Sequence, residues 1–121
     1  MINKFFAVCL LVNDLKKSQD FYEHKLGLTI NSSDTGFVDF KLGETPIALF
    51  EKKHAVAMFS SKYMKPSGGS VIALQVDDVT KICQELTEKG IKIFEGPKQT
   101  SWGQTVAYLH DPDGNIIELM S

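Results

Sequence analysis

Glu118 is the residue of this chain best placed to do chemistry. It is the one carboxylate in the run Ile116-Ile117-Glu118-Leu119-Met120, which follows the turn Asp111-Pro112-Asp113-Gly114-Asn115. Side chains of a strand alternate between faces, so Glu118 lies opposite Ile117 and Leu119 and needs a partner, a metal or a wet cavity. A carboxylate in that position can hold a cation, accept a hydrogen bond or act as a general base. Trp102, the only tryptophan, stands beside Gly103 and Gln104, ahead of a second strand-like run that contains Tyr108. The indole offers a flat ring for stacking, Gly103 permits close approach of backbone, and Gln104 adds neutral polar groups. Trp102 reads equally well as a cap on the core at a strand entrance. Phe37, Phe40, Phe50 and Tyr108 supply further aromatic surface for a cavity wall or floor. Alternation sets Val38 and Phe40 on one face and Phe37 and Asp39 on the other, so these aromatics cannot all line one pocket.

The remaining reactive residue types read as structural. His24 falls within a helix, His54 in an irregular segment and His110 just before the Asp-Pro-Asp-Gly turn, and this spacing makes no metal-ligand cluster. No Cys-His pair has an orienting third residue, no serine has an evident activating base, and the glycines form neither a phosphate loop nor a dinucleotide fingerprint. Cys9 and Cys83 fall in an apolar run and an amphipathic helix, and both read as reduced core residues. With 13 basic and 15 acidic residues, a formal charge of -2, the chain has no bulk attraction for nucleic acid or an anionic membrane. The apolar run Phe5 to Val12 imitates the core of a signal peptide, but no small-residue cleavage site follows and the run is too short to span a bilayer. A cytoplasmic protein without nucleic-acid or membrane partners is the expectation.

The elements that position these residues emerge when the chain is laid over itself. Val8-Cys9-Leu10-Leu11-Val12-Asn13-Asp14-Leu15 matches Ile72-Ala73-Leu74-Gln75-Val76-Asp77-Asp78-Val79, strand over strand and cap over cap. Asp14 and Asp78 suit the N-cap, where a carboxylate satisfies orphan backbone N–H groups, and Gly27 and Gly90 suit the exits. Leu15, Ser18, Tyr22 and Leu26 form one helical stripe, and Val79, Ile82, Cys83 and Leu86 form another. Period-two runs at 28–31, 36–42 and 46–51, and again at 91–94, 103–109 and 115–120, give strand, helix, three strands, repeated once. The fold class is therefore α+β, one domain over 1–121 with a first module at about 1–53, a linker at about 54–69 and a second module at about 70–121. Within the linker, His54 to Met64 suits a short helix and Pro66-Ser67-Gly68-Gly69 a flexible connection.

Asn13-Asp14-Leu15-Lys16-Lys17-Ser18 with Phe21-Tyr22 and Leu26-Gly27-Leu28, then Trp102-Gly103-Gln104 and Asp111-Pro112-Asp113-Gly114-Asn115 through Glu118-Leu119, resembles the vicinal oxygen chelate superfamily. That group includes glyoxalase I, extradiol dioxygenases, fosfomycin-resistance thiol transferases and bleomycin-resistance proteins. The resemblance implies paired βαβββ modules forming a curled mixed sheet around a cavity, and a homodimer. It also implies that metal-dependent members carry a histidine seven residues before each capping aspartate, where this chain has Ala7 and Val71. Glu118 matches the carboxylate ligand of those members, and Glu51 sits near the equivalent end of the first module. Without the two imidazoles the carboxylates make a weak transition-metal centre. The reading is a metal-independent, cofactor-free binder in the manner of bleomycin-resistance proteins, sequestering a flat, partly apolar and basic small molecule as an antibiotic-resistance-like protein does. Its ligand-binding residues are Trp102, Gly103, Gln104, Glu118, Glu51, Phe40 and Tyr108. The alternative is a metal-dependent lyase, isomerase or dioxygenase of the same superfamily with an atypical ligand set, or one using Glu118 as base.

Overall fold

In the computed structural model, which describes residues 1, 3–65 and 69–121, the chain forms two compact units, 1–65 and 66–121. The first runs β1 (Val8–Val12), α1 (Leu15–Asp20) continued by a π-helical turn (Phe21–Lys25), β2 (Thr29–Asp34), β3 (Phe37–Lys41), β4 (Ile47–Glu51), α2 (Lys52–Ala55) and a 3-10 turn (Ser61–Tyr63). The second runs β5 (Val71–Gln75), α3 (Val79–Glu88), β6 (Ile93–Gln99), β7 (Thr105–His110) and β8 (Ile116–Met120). The repeated βαβββ order is thus present. In place of one helix over 54–64 there are two short helical pieces, and Pro66, Ser67 and Gly68 of the expected connection lie outside the described residues.

The expected curled sheet around a cavity is corrected by the strand pairing. Each unit holds its own four-stranded mixed sheet, in the orders β1-β4-β3-β2 and β5-β8-β7-β6. The first and last members of each ladder do not pair, so neither sheet closes. Four strands also fall well short of the roughly eight whose tilt and stagger close a barrel with a filled interior. In both sheets the one parallel pair lies at an edge, β1 with β4 and β5 with β8, because the helix carries the chain across before the remaining strands return antiparallel.

Caps and alternation explain what is buried. Asp14 Oδ1 accepts from the Lys17 N–H and Asp78 Oδ1 from the Lys81 N–H, each at 3.1 Å, so both aspartates cap as their position predicts. Ser18, Phe21 and Tyr22 of the first helical region are buried, as are Val79, Cys83 and Leu86 of α3. The buried sheet residues include Val12, Val38, Phe40, Ile47 and Leu49 in one module and Ala107, Leu109, Ile117 and Leu119 in the other. Each fully buried aliphatic side chain is worth about 1.5–3 kcal/mol relative to exposure. Cys83 is a free core thiol, but Cys9 is exposed, contrary to its reading as a core residue. Alternation sets Cys9 with Leu11 and Ala48, on the face opposite Leu49.

Two departures from regularity recur or differ between modules. The first helix has one more residue between its capping aspartate and its exit glycine than the second. A π-helical turn absorbs the extra residue, with the Leu26 N–H donating to the Phe21 carbonyl at 2.9 Å. A β-bulge recurs at the same place in both sheets. Ile30 pairs with Phe40 and Ser32 with Asp39, leaving Asn31 unpaired, while Ile93 pairs with Leu109 and Glu95 with Tyr108, leaving Phe94 unpaired.

Candidate functional site

Glu118 lies on β8 directly opposite Tyr108 on β7, and the Tyr108 hydroxyl donates to Glu118 Oε2. Leu119 and Ile117 turn inward to the core, which leaves Ile116, Glu118 and Met120 on the face turned away from α3. The same alternation places Tyr108 and His110 on that face. The carboxylate that accepts the phenol proton holds the Tyr108 pKa above its ordinary value, with partial burial and the charges of Glu118 and Glu95 acting in the same direction. Tyr108 therefore stays neutral throughout the physiological range. Its one proton is committed to Glu118, so its oxygen can only accept any further hydrogen bond.

Trp102, Gly103 and Gln104 form the turn that leads into β7. The Thr100 N–H donates to the Gln104 carbonyl at 2.8 Å and the Gly103 N–H to the Thr100 carbonyl at 3.2 Å. Gly103 has φ of 92°, a left-handed conformation that strains any residue with a Cβ. Trp102 is 73% exposed and donates Nε1–H to Gln104 Oε1 at 2.8 Å. Its polar edge is satisfied within the turn, and its ring faces remain available for stacking. At this exposure the ring is not buried as a cap on the core.

The structure sets Phe40 and Glu51 apart from that arrangement. Phe40 is fully buried, with its ring 6.1 Å from that of Tyr22 in the layer between sheet and helix. Glu51 is not the first-module counterpart of Glu118. Leu10 pairs with Leu49 as Leu74 pairs with Leu119, so the position equivalent to Glu118 is Ala48 and the one equivalent to Glu51 is Ser121. The hydrogen bonds agree: the Leu15 N–H donates to Glu51 Oε2 at 2.9 Å, and the Val79 N–H donates to Ser121 Oγ at 3.3 Å. Both side chains tether the start of the helix that comes earlier in the same module. The Leu15 bond, with Lys53 and His54 nearby, outweighs desolvation and holds the Glu51 carboxyl below its usual range. A depression of about 450 Å³ beside this tether, lined by Asp14, Lys16, Asp20, Glu23, His24 and Glu51 among others, lies over the start of the helix.

The donor set of a metal-dependent member does not assemble here. Val71 stands on β5 opposite Ile116, and Ala7 immediately precedes β1, so both expected imidazole positions carry alkyl groups. Among the described residues no group of three or more His, Cys, Asp and Glu is arranged to hold a metal ion. One carboxylate already bonded to a phenol does not meet the three or more fixed ligands a divalent transition metal usually requires. His24 bonds Asp20 through Nδ1 at 3.0 Å, His54 lies 3.7 Å from Glu51, and His110 stacks on Phe94.

The duplicated βαβββ order is that of the vicinal oxygen chelate superfamily, to which the protein belongs. The match to the glyoxalase-like domain spans residues 5–121, and the chain belongs to that family. It is 33% identical to the Bacillus subtilis protein YraH, over 96% of both chains. It is 34% identical to a probable lactoylglutathione lyase of Synechocystis, over 90% of this chain and 88% of that one. The fold is similar to that of TnmS3, an antibiotic binding protein from a Streptomyces species, with a TM-score of 0.77 and 30% identity over 98% of this chain and 94% of that one. Among the described residues no helix is long and apolar enough to cross a membrane.

Phe94 and His110 are site candidates that sequence reasoning passes over. Their rings stack at 4.4 Å with 17° between planes, and Phe94 also lies 6.1 Å from the Tyr108 ring. The only sequence signal is that His110 and Tyr108 are two residues apart on one strand. Phe94 joins them through the bulge, which strict alternation does not anticipate.

Proposed function

We propose that the protein binds and sequesters a flat, partly apolar small molecule, without a metal, on the face of the second module that carries Tyr108, Glu118 and the aromatic residues around them. The observation that carries this reading is the Tyr108–Glu118 pair: a carboxylate and a phenol bonded to each other on a sheet face otherwise furnished with Ile116, Met120 and aromatic rings. A mostly apolar surface with a few fixed polar groups is the usual character of a small-molecule site. Trp102, with Gly103 and Gln104 shaping its turn, supplies an exposed ring for stacking. The likeness to TnmS3 supports binding as a sufficient activity for this fold. The likeness to lactoylglutathione lyases favours catalysis, but the alkyl groups of Ala7 and Val71 weigh against that metal-dependent chemistry here. The test is a titration with flat ligands followed through Trp102 emission and by calorimetry, repeated with Glu118→Gln. Saturable binding that weakens in the variant supports the reading.

A further inference from the structure

The duplication provides an internal control for which residues the fold itself requires. Register equates Asn31 with Phe94, Asp39 with Tyr108, Lys41 with His110 and Ala48 with Glu118. The first module therefore builds the same strands and the same bulge with polar residues and an alanine at these four positions. There Asp39 accepts from the Ser32 backbone N–H and hydroxyl, each at 2.8 Å, and this local bonding holds its carboxyl below the usual range. The second module replaces that network with three rings and a carboxylate. Neither sheet pairing nor helix packing demands the replacement, and Phe94 remains 41% exposed, so burial does not explain it either.

Chemistry narrows what the four residues suit. The bulge projects Phe94 onto His110 and Tyr108, joining β6 and β7 in an aromatic row that ends at the Glu118 carboxylate. Neither ring nitrogen of His110 has a hydrogen-bond partner among the described residues. Tyr108 spends its proton on Glu118 Oε2, which leaves Glu118 Oε1 and the phenol oxygen as acceptors. Lys98, on β6, is paired with Glu95 at 3.2 Å. Stacking surface beside a negative, acceptor-only end matches a planar group that carries both positive charge and N–H donors.

We infer that Phe94, His110, Tyr108 and Glu118 form a subsite for a planar cation with N–H donors, such as an amidinium or a protonated amino-heteroaromatic group. The inference rests on the reading of this sheet face as the ligand site and adds the class of ligand. The planar group stacks along the Phe94–Tyr108 row and donates to Glu118, and Phe94 and His110 determine specificity.

Benzamidine, benzamide and benzoate share a ring and differ in charge, so they serve as probes with the intact protein. Binding is followed by calorimetry and by NMR signals of Tyr108, His110 and Phe94, with amide spectra confirming that each variant is folded. Benzamidine is expected to bind and shift those ring signals, benzamide to bind at least roughly tenfold more weakly for want of a charge-assisted bond, and benzoate to leave the signals unmoved. Phe94→Leu should weaken benzamidine several-fold while leaving the Tyr108–Glu118 pair in place. Equal binding of benzamidine and benzamide, a preference for benzoate, or benzamidine shifts confined to other residues would overturn the inference. If benzamide moves these ring signals and binds as tightly as benzamidine, the binding face stands and only the ligand class is lost. If no flat ligand of any charge moves them, both readings fall.

Discussion

Tyr108 and Glu118 are informative because each defines the other's state. A phenol that donates to a carboxylate is harder to ionise, so removing the charge should return Tyr108 towards the ordinary phenol value of about 10. Ring-labelled tyrosine NMR across alkaline pH is expected to show Tyr108 titrating later in the wild type than in Glu118→Gln, with Tyr22 and Tyr63 unchanged. An identical Tyr108 midpoint in both proteins would remove the pair from the account. The sign for stability follows from the raised value. The contribution of the pair is fully present below the unfolded phenol value and is lost as pH rises through the higher folded value. The family resemblance identifies Glu118, and the register supplies its partner. Phe94 and His110 were not legible as a pair, because their contact depends on where a bulge breaks the period of two.

At the scale of elements, the repeat distinguishes a tether from a site. Glu51 and Ser121 occupy one position in the two modules, each holding the first backbone N–H of its own module's helix, α1 or α3. Glu51→Ala should therefore lower the melting temperature and loosen the start of α1 in hydrogen exchange, whereas the Gln variant, which keeps an acceptor oxygen, should lie between it and the wild type. The Glu51 carboxyl is held below its usual range, so its stabilising effect is present above the unfolded carboxylate value and fades as pH falls through the lower folded one. The difference in melting temperature between wild type and Glu51→Gln is expected to shrink in that acid window. A difference that grows there would contradict the tether. Strand–helix order, both caps and the helical stripes were readable from the sequence because they rest on local chemistry. The equivalence of Glu51 with Ser121 was not, since register depends on pairing between strands distant in sequence, as in Leu10 with Leu49 and Leu74 with Leu119. A one-residue insertion hidden in the π-helical turn further offsets the two halves.

At the scale of the molecule, the open ladders bear on assembly. Two four-stranded sheets leave β1, β2, β5 and β6 as ladder ends, and unpaired edges invite another chain unless they are covered. We propose a homodimer on this ground and on the family resemblance, to be checked by sedimentation across micromolar concentrations. A dimer mass is expected, and a monomer mass independent of concentration would contradict it. The central claim is a different one: that the second module's Glu118 face binds a small molecule through charge and stacking without a metal. Its most direct test is calorimetric titration of wild type and Glu118→Gln with a flat ligand that quenches Trp102, in protein stripped of metal. Losing one charge-assisted hydrogen bond should weaken binding by about 1.5–3 kcal/mol, roughly tenfold to more than a hundredfold, with the fold intact. Unchanged affinity in the variant, or binding that appears only when a transition metal is restored, would contradict the account.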